Sequence, residues 1–210
     1  AAAAAAAVSA KKKQVREAAL AVWVAGKGMH NERTLTSTIK VLADAGDTEQ
    51  AVKVFEQAWK GGVIPIDVDC LAVMLRIMTT APAPGDPRDS RWPSRDVVAL
   101  YRRAQEEDGR GLAPTTACAN IVLTACSRDG NWKAALSLWR HMLKRRAPPP
   151  DKASLAAVIL SCGRSGRGDL ALQAFEEGRG VEGVECDTIT VNVLLDACAK
   201  SGDRLAPGEA

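Results

Sequence analysis

The sequence predicts an all-α protein, a solenoid of stacked helical hairpins with a period of about 36 residues. Three observations predict it. Ala119–Gly130, Leu155–Gly166 and Val191–Gly202 superpose without a gap, which places their glycines 36 residues apart twice. After each turn comes a small residue and an aromatic four apart, as in Ala51/Phe55, Ala135/Trp139 and Ala171/Phe175, a spacing that puts both on one helical face. Hydrophobic residues make up 47% of the chain but aromatics only 4%, so the apolar material is Ala, Leu and Val, suited to closely spaced helices.

The elements follow in chain order. Ala1 to Ala7 is either a low-complexity start or a placeholder for unidentified helix, and Lys13 to Lys27, with Ala19/Trp23, reads as the second helix of a leading hairpin. Leu35–Gly46 is the first clear copy of the repeat, with Ile39, Val41 and Leu42 at helical spacing. In each copy the glycine suits a left-handed residue at the end of the first helix, and Asp47, Asn131 or Asp203 behind it can cap the second. The loops Pro65-Ile66-Asp67, Ala113-Pro114-Thr115, Pro149-Pro150-Asp151 and Glu185-Cys186-Asp187 stop one hairpin and cap the next. The second repeat, with its weaker Val97/Tyr101 pair, is interrupted by the proline-rich stretch from Ala81 to Ser94, which cannot continue a helix and reads as an insertion, not a domain linker.

The expected organisation is a partial leading hairpin at 1–31, full repeats at 32–67, 68–115 (insertion at about 81–94), 116–151 and 152–187, and a partial repeat at 188–210. A hairpin this short cannot bury its apolar face alone, so neighbours must stack. The end at Ala210 supplies no apolar second helix for the last repeat, which reads as a segment of a longer protein.

Composition narrows the function classes. No run of eighteen apolar residues follows the alanine start, so no membrane span is expected. The formal net charge of +3 fits a polyanionic partner without requiring one. Cys126, Cys162 and Cys198 recur every 36 residues at one packing position and read as small buried hydrophobes. With no Cys-x-x-Cys pair, and His30 and His141 without partners at ligand spacing, neither metal, disulfide nor other cofactor is expected. Gly26-x-Gly28 and Gly163-x-x-Gly166-x-Gly168 follow no strand and are not phosphate loops, and no nucleophile–base set is legible, so no enzyme is expected. A basic residue stands two positions before three of the glycines (Arg128, Arg164, Lys200), with Asp44 breaking the series. Such a register would line one surface with phosphate-binding cations, or simply compensate helix dipoles. Lys144-Arg145-Arg146 reads as a solvated helix end.

Taken together, Asn120, Gly130, Ala135-x-x-x-Trp139-x-x-Met142 and Pro150-Asp151 resemble the pentatricopeptide-repeat (PPR) motif, best matched by Cys118–Leu123 and Thr190–Leu195. The resemblance runs from about Met29 to Gly202. The tetratricopeptide repeat shares the Ala-x-x-x-aromatic pair, but its 34-residue period and its Trp/Gly/Tyr signature are absent here. The resemblance implies a right-handed α-solenoid that binds single-stranded RNA, each hairpin reading one base with a residue early in its first helix and the residue that ends the repeat. Those helix positions hold Thr36, Ala72, Asn120, Ala156 and Asn192, and the repeat-ending positions hold Asp67, Thr115, Asp151 and Asp187. Thr36 with Asp67 resembles the family's guanine-reading pair, and Asn120 with Asp151 its uracil-reading pair. Ala72 and Ala156 depart from the pattern, having no side-chain hydrogen-bonding atom. It also implies phosphate contacts at Arg128, Arg164 and Lys200. The plainer reading is that the asparagines brace their helices and the aspartates cap the next ones.

The functional expectation is an organellar RNA-binding factor, in mitochondrion or chloroplast, that stabilises, processes or promotes translation of a transcript. The alternative is a structural subunit of an organellar ribosome or other ribonucleoprotein, with ribosomal RNA and ribosomal proteins as partners.

Overall fold

In the computed structural model, residues 2–26, 31–62, 64, 66–80, 92–106 and 112–202 are described, with side chains from Ala10 to Ser201. Asp203, His30, Gly28 and Pro65 fall outside them, as does the interrupting stretch as far as Arg91. All regular structure among the described residues is helical. The chain divides into two compact units between Trp92 and Pro93, at the stretch read from the sequence as an insertion.

The first unit contains α1 (Ala2–Ala25), α2 (Glu32–Asp44), α3 (Thr48–Gly61) and α4 (Val68–Thr80). Helix α1 is longer than expected and takes in the alanine-rich start, in keeping with the high helix propensity of alanine. Helix α2 is the centre of the unit, packing against α1, α3 and α4. Its Leu35, Ile39 and Leu42 have no solvent exposure, and Ala51, Val54, Phe55 and Trp59 of the adjoining α3 are buried as well. The Phe55 and Trp59 rings pack tilted, with centroids 5.3 Å apart. Asn31 and Thr34 form a reciprocal capping box at the start of α2, and Asp47 caps α3 through the Gln50 N–H at 3.1 Å.

The second unit contains α5 (Ser94–Glu106), α6 (Thr116–Asp129), α7 (Trp132–Arg145), α8 (Lys152–Arg164), α9 (Gly168–Gly178) and α10 (Thr188–Gly202). The first helices α6, α8 and α10 stack in series, and each of α7 and α9 packs on its own first helix and on the next. Gly130 and Gly166 take φ of 65° and 68° in the turns, as does Gly46 in the first unit at 87°, the left-handed conformation expected of each. Asn131 caps α7 as expected. The hairpins are also stitched side chain to backbone. Ser161 donates to the Cys126 carbonyl, Ser165 to the Gly130 carbonyl, and Arg164 to the carbonyls of Ser127 and Arg128, so α8 adds side-chain donors to the carbonyls at the C-terminal end of α6. At the start of α5 the Ser94 N–H donates to Asp129 at 2.6 Å and its hydroxyl accepts from Asn131.

The small-residue and aromatic pairs form the core where both neighbours are present. Ala51/Phe55, Val97/Tyr101 and Ala135/Trp139 are buried, whereas Phe175 on α9 is partly exposed, as are Ala19 and Trp23 on α1. The cysteine reading needs one correction. Cys126 and Cys162 have no exposure, but Cys198 is only partly buried, because among the described residues no helix follows α10 to cover that side.

Candidate RNA interface

The residues expected to read bases sit one turn into the first helices, beside the cap of the helix that follows. In the second unit, Asn120 on α6 lies next to Asp151, the N-cap of α8. Its Nδ2 donates to both carboxylate oxygens, at 3.1 and 3.0 Å. The pair therefore forms across the boundary between adjacent hairpins. Asp151 also caps its own helix, accepting from the Ser154 N–H at 2.8 Å, and the buried Ser154 hydroxyl lies 2.6 Å from Asn120 Oδ1 and 2.9 Å from Asp151 Oδ1. Asp151 thus caps α8, as the plainer sequence reading expects, and is also hydrogen-bonded to Asn120. Asn120 does not brace the start of its own helix.

The corresponding pair in the first unit is built differently. The Thr36 hydroxyl donates back to the Glu32 carbonyl at 2.9 Å, and Asp67 accepts from the Cys70 N–H at 2.7 Å as a cap of α4. No hydrogen bond joins Thr36 to Asp67, since threonine's short side chain is satisfied within its own helix. Asp187 accepts from both the N–H and the hydroxyl of Thr190 at 2.8 and 2.9 Å, and these bonds, with Lys152 nearby, hold its carboxyl below the ordinary carboxylate range. Its helix partner in the preceding repeat is Ala156. Asn192 on α10 is exposed to solvent.

The basic register is engaged within the protein. Arg128 pairs with the adjacent Asp129, Nε to Oδ1 at 2.6 Å, and Lys200 with Asp196 one turn earlier. Arg164 is committed to the α6 carbonyls at 3.0 and 3.1 Å, which is the dipole-compensating arrangement reached across a repeat boundary rather than within one helix. Lys144, Arg145 and Arg146 are exposed at the end of α7.

Two features escaped the sequence reading. One is Ser154, whose role needs the three-dimensional juxtaposition of two repeats. Its signal was a hydroxyl or thiol residue three positions after each repeat-ending cap: Thr34 after Asn31, Cys70 after Asp67, Cys118 after Thr115, Ser154 after Asp151 and Thr190 after Asp187. The other is Trp132 at the start of α7, with the Arg167 guanidinium 4.9 Å and Lys133 Nζ 5.5 Å from its ring centre. No cluster of three or more potential metal ligands occurs among the described residues, and none of their helices is long and apolar enough to cross a membrane.

Comparison with known proteins agrees with this architecture. The family profile described as PPR repeat matches residues 33–63 and 117–146. A chloroplastic pentatricopeptide repeat-containing protein of Arabidopsis thaliana is 26% identical over 173 residues, covering 80% of this chain and 19% of that protein. Pentatricopeptide repeat-containing protein 10, chloroplastic, of Zea mays is 27% identical over 169 residues, covering 80% and 20%. The chain thus spans about one fifth of the length of the curated relatives it matches. Among solved structures, the PPR domain of Arabidopsis thaliana protein-only RNase P 1 in complex with tRNA superposes with a TM-score of 0.61 at 15% identity, covering 85% of this chain and 92% of that one. PPR10 in complex with an 18-nucleotide psaJ RNA element superposes with a TM-score of 0.60 at 23% identity, covering 97% and 28%. These two likenesses are of fold. The repeat profile at two places, the period and the matching proteins agree: the chain carries pentatricopeptide repeats at 33–63 and 117–146 and is similar to pentatricopeptide-repeat proteins.

Proposed function

We propose that this chain binds single-stranded RNA and acts on organellar transcripts, in chloroplast or mitochondrion, through their stability, processing or translation. The observation that carries the reading is the Asn120–Asp151 pair, joined at 3.0 and 3.1 Å across two hairpins. One amide hydrogen is held by the carboxylate, which leaves the second hydrogen and a lone pair of the amide oxygen for a base edge. Thr36 with Asp67 is the second candidate pair, and Asn192 the candidate helix residue of the last repeat. Two of the matched relatives are named as chloroplastic proteins, and PPR10 has been solved with an RNA element, both of which favour this reading over a purely protein-binding solenoid. The domain assignment follows the repeats, 32–67, 68–115, 116–151 and 152–187, between partial repeats at 1–31 and 188–210.

The test is selection from a randomised single-stranded RNA pool. The wild-type chain enriches uracil at one position, and Asn120→Ala combined with Asp151→Asn removes that enrichment, weakening binding by about tenfold. Asparagine is chosen at 151 because it still caps a helix, as Asn31 does. Enrichment that survives this double change would dismiss base readout by the pair.

A second reading is a structural subunit of an organellar ribosome or comparable ribonucleoprotein. The alanines at 72 and 156, and the intramolecular engagement of Arg128, Arg164 and Lys200, favour it. It requires co-sedimentation with ribosomal particles through high salt.

A further inference from the structure

We infer that Ser154 is a positioning residue for base recognition: it fixes the orientation of the Asn120 amide, and so decides which base the third full repeat selects. The inference rests on the RNA-binding reading and deepens it.

An asparagine amide is nearly symmetric in shape but not in chemistry, since a half-turn exchanges two donors for an acceptor. Asp151 alone favours the orientation that points Nδ2 towards the carboxylate. Ser154 adds the complementary constraint. Its hydroxyl is fully buried and sits 2.6 Å from Asn120 Oδ1, where it serves as a donor to the carbonyl oxygen. A flipped amide would confront that hydroxyl with an NH₂ group and the Asp151 carboxylate with an oxygen. Both contacts reject the flip, so the amide presents one donor and one acceptor on fixed sides to whatever base approaches. Uracil, with an N–H flanked by carbonyls on its Watson–Crick edge, matches that pair. With Oδ1 set opposite the ring nitrogen between those carbonyls, uracil donates its N–H to it, whereas cytosine sets a lone pair against it, and the flipped amide would suit cytosine instead.

The hydroxyl has one proton and two acceptors within reach, Asn120 Oδ1 at 2.6 Å and Asp151 Oδ1 at 2.9 Å. Asp151 Oδ1 already accepts from the Ser154 N–H at 2.8 Å, and both its oxygens accept from Asn120. The amide oxygen has no other donor among the described residues, so the shorter contact takes the proton. Ser154 thus acts through Asn120 and would not itself touch RNA, which agrees with its burial. A structural register alone does not account for the contact. Thr190, three residues after Asp187, makes the same bonds to its own cap, but the position equivalent to Asn120 in that repeat is Ala156, which has no amide to orient. In the first unit Cys70 occupies the register near Thr36, whose own hydroxyl proton goes to the Glu32 carbonyl, so no amide is oriented there either.

The test compares Ser154→Cys, Ser154→Ala and Ser154→Thr in the full chain. Cysteine occupies this register at Cys70 and Cys118, so Ser154→Cys keeps the fold while replacing a strong donor with a weak one. In selection from the randomised RNA pool, uracil-over-cytosine preference at the affected position falls by about tenfold in Ser154→Cys and Ser154→Ala and returns in Ser154→Thr. Affinity for the pool as a whole changes far less. The RNA-free protein gives a second readout: the Asn120 side-chain amide protons, slow to exchange in wild type, exchange faster in the Cys and Ala variants and are again slow in Ser154→Thr. Unchanged amide exchange in a folded Ser154→Cys variant would overturn the positioning role without reference to RNA. Undiminished uracil preference in that variant would overturn it equally. A wild-type chain that selects no base, with the exchange difference intact, would sink RNA readout while leaving the local geometry as described.

Discussion

Among the six cysteines, side chains of one type occupy different electrostatic environments. Burial pushes the Cys126 thiol up to about 12, and those of Cys70 and Cys162 up to about 11, because a thiolate there would lose its water. Cys186, in the loop before α10, is exposed. With the thiolate as the reactive species, only about one part in a thousand of Cys70 or Cys162 is reactive near pH 8. A thiol-specific disulfide reagent at that pH should modify Cys186 within minutes and leave Cys70, Cys126 and Cys162 intact for hours. Peptide mapping by mass spectrometry checks the order, and fast labelling of Cys126 would contradict its burial. A second residue-scale prediction concerns Arg146, the C-cap of α7, which holds φ at 54° without being glycine. Arg146→Gly should stabilise the chain by about 0.5–1 kcal/mol, relief of the left-handed backbone exceeding the added flexibility of the unfolded chain. Urea denaturation of the two proteins measures it.

At the level of elements, helix separation is set by what stands at the crossing. A Cβ built on Gly163 of α8 would lie 2.7 Å from the Ala197 Cβ and 3.0 Å from its Cα on α10, so these helices meet nearly backbone to backbone. Gly163→Ala is therefore expected to cost about 1–3 kcal/mol, although alanine is the better helix former by about 1 kcal/mol. A variant that is more stable in denaturant titration would show that the crossing yields. Gly163, Gly166 and Gly168 all lie at helix ends, in the last turn of α8, in the turn and at the start of α9, but only Gly166 takes a positive φ to turn the chain, and Gly163 and Gly168 make room for α10. Turn glycines are legible because the turn is local, and the 36-residue period registered them. A crossing glycine depends on what a helix tens of residues away presents, and no spacing encodes that. The same distinction separates Asp151, legible as a cap, from Ser154, whose bond to Asn120 spans 34 residues. It also separates Arg164's expected helical phase from its bonds to α6.

The whole chain comprises two compact units, and each has its own complement of buried residues. In a stacked-hairpin fold, stability is approximately a sum of repeat and nearest-neighbour terms. The second unit satisfies the conditions for folding by itself. Its helices α6, α8 and α10 stack continuously, α7 and α9 cover them, Arg140 of α7 pairs with Glu177 of α9 at 3.1 Å, and α5 is anchored by Asp129 and Asn131. A fragment of residues 93–202 should give a helical circular-dichroism spectrum and a single cooperative melt. In the full chain, Leu35→Ala, at a fully buried site in α2 where truncation costs about 2–5 kcal/mol, should lower the stability of the first unit while leaving amide-exchange protection of α6 and α8 unchanged. Loss of protection throughout both units would show that the chain unfolds as one body, and the proposed base-reading residues of the two units would then be thermodynamically coupled rather than independent.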